Sequence, residues 1–440
     1  MKFNLSTRRD FVKKTGAAAI IAPFAINSLT ASPFKNKMNV DTLRIGLIGC
    51  GGRGTGAALQ AIKADDNVVL VAMADIFQDR LDKAYKALQD TMSEEEIDPK
   101  KMMVEADRKF IGFDAYQKLI DSGVDVVLLA TPPCFRPGHL AAAVESNKHI
   151  FCEKPIAVDA PGVRSVIATA KKAKEKGLAL MSGFCWRHDI PKIETFNRLL
   201  DGAIGDMQTV YSTYNTGALW FHERQEGWSD FEFEMRNWLY QNWMSGDHIA
   251  EQAIHSLDMM SWAMGDVMPV SVSGTGGRQS RTEAQFGNVF DHFALVYDYG
   301  EGRKGYHFSR QQKGATRAYT MDFMGNQGRS YIDVFKTHEI IGKTNWEYTT
   351  EEDWKNMYQL EHNTLFKSIR EGSPYHDGVR MANSTMLAIM GRMAAYTGKT
   401  LTWEEAYNSN EIMGPSIDQY TWDLKWPMAD VAKPGITKFS

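Results

Sequence analysis

"LRIGLIGCGGRGTGAALQAIKADDNVVLVAMAD", residues 43–75, runs from a short apolar segment through clustered glycines into a helix-like stretch, then through a second apolar segment to an acid. The continuous run Ile45 to Ile48 is what a parallel strand buried on both faces requires. Gly49, Gly51 and Gly54 stand in G-x-G-x-x-G spacing directly after that strand, with Gly52 and Arg53 inside the motif. Glycines there let the chain turn tightly and bring backbone N–H groups onto a pyrophosphate at a helix N-terminus. Alone the motif is weak. Asp75 strengthens it, because an acid about 20 residues further on, at the end of the second strand, accepts hydrogen bonds from the adenosine ribose hydroxyls. The same acid repels a 2′-phosphate, so the expected cofactor is NAD rather than NADP. Arg53 stands where it could touch phosphate and Arg80 where it could reach the ribose, and for both a solvated surface role is equally open.

Working outward, apolar runs alternate with helical patterns. "DVVLLATPP", 125–133, reads as a further strand, and "HIFCEKP", 149–155, as the fourth. Helices are expected over 78–92, 113–122, 138–146 and 160–176, the last preceding "LALMSGFCWR". Strand and helix in alternation give an α/β class, with an N-terminal Rossmann-type doubly wound parallel sheet. After about residue 187 the style changes: 207–215, 270–277, 292–300 and 304–312 follow one another as strands with glycine turns, as in a C-terminal α+β domain with an open, mainly antiparallel sheet. One continuous amphipathic helix is expected over 248–265, and a helical block over 353–397. The expected division is a leader over 1–32, a nucleotide domain over 41–185, a substrate domain over 186–420 and a tail over 421–440.

At 440 residues the chain is too long for a single core. Fifty basic against fifty-four acidic residues, a net charge of -4 and no basic tract after the start argue against a nucleic-acid partner. Near the N-terminus, Arg8-Arg9 followed by Asp10-Phe11-Val12-Lys13 and a short apolar run resembles a twin-arginine export signal. That implies a periplasmic or extracytoplasmic destination; the run, 16–26, is too short for a membrane span, which needs about 20 residues. Cys50, Cys134, Cys152 and Cys185 lack zinc-like spacing and read as buried free thiols.

Ligands of such sheets bind beyond the carboxyl ends of the strands. Thr131 and Pro132, with His139 on the following helix, and Glu153, Lys154 and Pro155 after the fourth strand are therefore candidates. By spacing alone Lys154 reads equally as a surface charge paired with Glu153; its place at a strand end favours a working role. His248, Glu251 and His255 follow H-x-x-E-x-x-x-H, so a helix-borne metal site rivals a metal-free one. The preferred reading uses no metal.

The glycine fingerprint, "TPP" with His139, "CEKP", "GFCWRHDIP" and "EQAIHSLD" occur in an order and spacing that resembles the Gfo/Idh/MocA oxidoreductases, the glucose-fructose oxidoreductase and inositol dehydrogenase superfamily, over residues 43–410. The resemblance implies that Lys154 binds substrate and cofactor, often after a cis bond to Pro155, that Arg187 lies near the substrate, and that His255 is the catalytic histidine. The family's aspartate position holds Glu251, a departure. It also implies a carbohydrate, polyol or glycoside substrate and a homodimer or homotetramer. Exported members resembling NAD-dependent N-acetylgalactosaminidases, which oxidise sugar C3 transiently to cleave a glycoside, form the alternative; their His-Gly motif is missing where "IHSLD" stands. Trp186, Trp220, Trp228, Trp238 and Trp243 could form a sugar platform or serve core packing.

Overall fold

The computed structural model describes residues 42–349 and 356–439. The twin-arginine stretch and the first residues of the expected 353–397 block lie outside them.

The first layer is a six-stranded, all-parallel sheet. Its strands are β1 (Leu43–Ile48), β2 (Val68–Asp75), β3 (Lys109–Ile111), β4 (Val126–Leu129), β5 (His149–Cys152) and β6 (Leu180–Ser182), in the order β3-β2-β1-β4-β5-β6. The order reverses between β1 and β4, which opens a crevice at their carboxyl ends. β3 was not expected, since three residues carry too little pattern to register. It makes the strand before Glu-Lys-Pro the fifth, not the fourth.

The second layer is a nine-stranded sheet: β7 (Met207–Thr216), β8 (Ser271–Gly277), β9 (His292–Asp298), β10 (Lys304–Gln311), β11 (Ala318–Gly325), β12 (Arg329–Asp333), β13 (Thr337–Ile341), β14 (Trp346–Glu347) and β15 (Leu401–Thr402). Its order is β14-β13-β12-β11-β7-β10-β9-β8-β15, antiparallel throughout except for β7 against β10. In β9 and β10 every second residue is buried, as a sheet with one covered face demands. The covering element is helix Gly378–Thr397, nearly all of it buried; a Cβ on its Gly391 would lie 2.3 Å from the Tyr297 hydroxyl. That helix also packs against helix Ala160–Glu175 and so joins the two layers. Helix Met357–Arg370 instead lies on helix Gly52–Ala64, sending Leu365, Phe366 and Ile369 into the core beside Ala57, Ala58 and Ala61.

The expected helix over 248–265 is broken into His248–Glu251 and Ile254–Ala263. The amides of Gln252 and Ala253 both reach the His248 carbonyl, at 3.0 Å each, and the His255 amide turns to the Gln252 carbonyl at 3.4 Å. A regular helix would have given the Glu251 carbonyl to the His255 amide. Here the Lys154 ammonium takes it, at 2.6 Å.

Several histidines are buried neutral. Burial pushes His139 and His307 down to about 3, and His149 and His188 to about 4. In the unfolded chain each titrates near 6.5. Protons therefore bind preferentially to the unfolded state between those values, and stability falls as pH drops below about 6.5, each group contributing up to about 1.4 kcal/mol per pH unit. Thermal unfolding followed from pH 7 to pH 4 should show a melting temperature that declines steeply below pH 6; a flat profile would contradict the burial of these rings.

Candidate active site

A cavity of about 1090 Å³ lies at the carboxyl ends of β1, β2 and β4. One wall is the glycine loop with Asp75, Thr131, Pro132 and His139; the other is supplied by Trp220, Trp228, Met235, Arg236 and Trp238 from the segment after β7, and the cavity reaches Glu251. The glycines divide into two kinds. Gly49 has φ +98, and a Cβ there would lie 2.7 Å from the backbone of Ala130 and Thr131; one on Gly54 would lie 1.9 Å from the Gly49 carbonyl. These two let helix and strand close on each other. Gly51 and Gly52 face no protein atom within 4 Å, the space a pyrophosphate needs.

Asp75 accepts hydrogen bonds from the Cys50 amide at 2.7 Å and the Phe77 amide at 2.9 Å. Each oxygen keeps a second lone pair for a ribose hydroxyl. Burial raises its pKa, against the pull of those amides and of Arg80. Arg80 lines the cavity with its guanidinium donating to the Arg236 carbonyl at 3.3 Å. His139 hydrogen-bonds the Thr131 hydroxyl at 3.2 Å and stacks between Tyr116 and Phe135. Tyr420 and Trp422 of the C-terminal segment pack on Phe113, and Trp422 also meets Phe77, at the rim of the same cavity.

Two residues expected at the cofactor, of which Arg53 lines the cavity, also brace the loops around it. The Arg53 guanidinium is committed to Glu153, to Glu361 at 2.9 Å and to Gln60 at 2.7 Å, with Tyr358 beneath it. Glu153 in turn holds Arg53 with one oxygen and accepts the Lys154 amide with the other at 3.2 Å. Both therefore support the loops, Glu153 from inside and Arg53 from the cavity wall.

Lys154 follows with a cis bond to Pro155. Its ammonium bonds the Glu251 carbonyl, while the Glu251 carboxyl has one oxygen enclosed without a hydrogen-bond partner. Burial raises the Glu251 pKa, opposed by Lys154 and Arg136. His255 stacks on Trp186 at 4.9 Å with the edge of Phe184 against it, and its Nδ1 is buried without a partner. Burial first, then the Lys154 charge, hold its pKa well below the ordinary value, so the ring is neutral. Lys154, Glu251 and His255 thus come together at the helix break, with Glu251 the member that reaches the cavity wall.

Arg187 is held by two acids. Its guanidinium grips Asp258 at 2.8 and 3.0 Å and Asp266 at 2.6 and 3.0 Å over the Trp262 ring, and it does not line the cavity. Asp258 also takes Arg380 and Ser384, so the pair anchors the segment after β6 to helix Ile254–Ala263. The rival metal reading loses its first ligand, since His248 spends its two ring nitrogens on the Phe290 carbonyl and the Ser309 hydroxyl, at 3.2 Å each. Among the described residues no three His, Cys, Asp or Glu side chains are arranged to hold a metal ion. Of the five tryptophans, Trp220, Trp228 and Trp238 line the cavity; Trp186 backs His255 and Trp243 is buried.

Arg136 was missed. Buried, it donates to the Thr131 carbonyl at 2.8 Å and to the Pro155 carbonyl at 2.5 Å, tying the two strand-end loops together. A signal existed: a cation in the first turn of a helix opposes the helix dipole and needs some other reason to be there.

A glycine loop at a parallel-sheet switch point, an acid at the end of β2, and a second domain bringing Glu251 and His255 up to Lys154 of the first define a two-domain dinucleotide-binding enzyme. The chain belongs to the Gfo/Idh/MocA oxidoreductase family: residues 43–184 match the family model described as "Oxidoreductase family, NAD-binding Rossmann fold", and residues 194–330 match the "GFO/IDH/MocA C-terminal domain". Myo-inositol 2-dehydrogenase of Thermotoga maritima is 23% identical over 379 residues, 84% of this chain and 100% of that protein. The 2,7-anhydro-N-acetylneuraminate hydratase of Escherichia coli is 27% identical over 181 residues, 41% of this chain and 44% of its own length. Among solved structures, aldose-aldose oxidoreductase from Caulobacter crescentus complexed with glycerol has a TM-score of 0.65 at 19% identity, covering 82% of this chain and 99% of that one. Levoglucosan dehydrogenase in complex with NADH and levoglucosan gives a TM-score of 0.65 at 17% identity with the same coverage. No described helix is long and apolar enough to cross a membrane.

Proposed function

We propose that the protein oxidises a hydroxyl of a sugar, polyol or glycoside, or reduces the corresponding ketone, with NAD held at the glycine loop. The observation that supports this most is the meeting of Lys154, Glu251 and neutral His255 where the cavity ends. Bound NAD supplies the hydride acceptor at nicotinamide C4.

Around it the chain's own groups divide the work. Neutral His255, whose Nδ1 has no partner in the protein, takes the hydroxyl proton as the C–H hydride leaves. Lys154 has three N–H donors. One is fixed on the Glu251 carbonyl, which aims the ammonium, and the others stabilise the developing alkoxide. The Glu251 carboxyl, close to the Lys154 charge, holds or releases a proton as that charge is engaged. Trp220, Trp228 and Trp238 offer faces on which a sugar ring stacks.

The discriminating experiment releases and identifies any bound nucleotide, then offers myo-inositol, levoglucosan, aldoses and nitrophenyl glycosides. NADH accumulating with a sugar or polyol is the expected result. Nitrophenol release with no net NADH would replace this reading by transient-oxidation glycoside cleavage, and bound NAD with no turnover of any sugar would contradict both.

A further inference from the structure

Glu361 belongs to none of the motifs, yet it is among the most enclosed charged groups in the protein. Its exposure is 0%. One carboxyl oxygen accepts from Arg53 at 2.9 Å, and the other is buried without a partner. Burying an ionisable group so incompletely satisfied is costly, and an apolar residue would hold two helices together at least as well. The helices are already fastened: Leu365, Phe366 and Ile369 fill the core between them, Gln359 donates to the Gln60 carbonyl at 2.9 Å, and Arg370 grips Asp65 at 2.8 and 2.9 Å.

What Glu361 does uniquely is continue inward. Arg53, at the start of the glycine-loop helix, passes from Glu361 to Glu153, and Glu153 accepts the Lys154 amide. The Glu153 carboxylate has little freedom, since a Cβ on Gly183 would already lie 2.5 Å from its Oε2. We propose that Glu361 is a positioning residue for Lys154, acting through Arg53 and Glu153, and that this line of contacts couples the glycine loop to the reacting centre. The proposal rests on the reading that Lys154 works on the substrate hydroxyl. Burial raises the Glu361 pKa, and Glu153 across the guanidinium adds to it. Glutamine keeps an oxygen for the Arg53 guanidinium at nearly the same shape.

Two variants test this in the full chain. Glu361→Gln keeps an acceptor oxygen for Arg53; Glu361→Ala removes it. Without cofactor, the rate at which acetic anhydride acetylates Lys154 relative to exposed Lys86, read by mass spectrometry, should rise about fivefold or more in Glu361→Ala and stay within about twofold in Glu361→Gln. Arg53→Gln breaks the same line one link further on and should give the same acceleration, so failure of one variant to fold leaves the test standing. With NAD and a sugar that the wild type oxidises, Glu361→Ala should lose about tenfold or more in kcat while its Kd for NAD stays within about threefold, and should cost nothing further in a Lys154→Ala background. An unchanged Lys154 acetylation rate in Glu361→Ala, or additive losses in the double variant, would overturn the proposal. Activity surviving in Lys154→Ala alone would instead overturn the role given to Lys154, with the acetylation rates still deciding the coupling.

Discussion

Lys154→Ala is expected to lower kcat by about 10² to 10³, the loss measured when one preorganised donor to a developing oxyanion is removed. NAD should remain bound, because no pocket wall of the glycine loop involves the Lys154 side chain. The variant also leaves the Glu251 carbonyl without its 2.6 Å partner at the helix break. An unmade bond to a fully buried carbonyl costs about 1–3 kcal/mol and to this half-buried one less, so a modestly lower melting temperature should accompany the loss of turnover. The two effects separate by nucleotide binding, which a merely unfolded variant would lose. Survival of kcat within about tenfold, roughly 1.4 kcal/mol of barrier, would show that Lys154 is not at the reacting hydroxyl.

The second large effect divides the glycines. Gly54→Ala places a methyl 1.9 Å from the Gly49 carbonyl, a backbone atom that cannot step aside. The loop must open, and both nucleotide binding and folding stability should fall, with NAD affinity down by about 10² or more for a loss near 2.7 kcal/mol. Gly51→Ala is the contrasting case. Its φ of -75 suits any residue and its Cβ meets nothing in the protein within 4 Å. It should therefore fold with an unchanged melting temperature yet bind NAD about tenfold or more weaker, because only a ligand occupies that space. Titration calorimetry with NAD beside thermal unfolding distinguishes the two; equal NAD affinity in Gly51→Ala and wild type would remove the pyrophosphate from the loop.

These contrasts explain what the sequence made legible. The glycine fingerprint and the alternation of strands and helices could be read because each depends on neighbours a few residues away. Asp75 belongs to the same local pattern. The helix break at Gln252 could not be read, since the Lys154 that takes the freed carbonyl lies 97 residues earlier. Spacing made Glu251 and His255 residues of one helix; the structure sets them on two, with a distant cation on the carbonyl between. The pairing of Arg53 with Glu361 could not be read either, because the partner stands 308 residues away on a helix whose sequence looks like an ordinary amphipathic one. Arg187 likewise gives its charge to Asp258, 71 residues on. Charged side chains at the crevice are thus assigned by long-range pairing, which no local spacing encodes.

The site's chemistry comes down to whether hydride passes from a sugar carbon to the nicotinamide beside Lys154 and His255. A single turnover with stoichiometric NAD and a sugar or polyol deuterated at its carbinol carbons tests this directly. Deuterium at C4 of the reduced nicotinamide, formed by the wild type and lost in Lys154→Ala with NAD still bound, is the expected result. A sugar converted to product with the nicotinamide never labelled, even transiently, would contradict it.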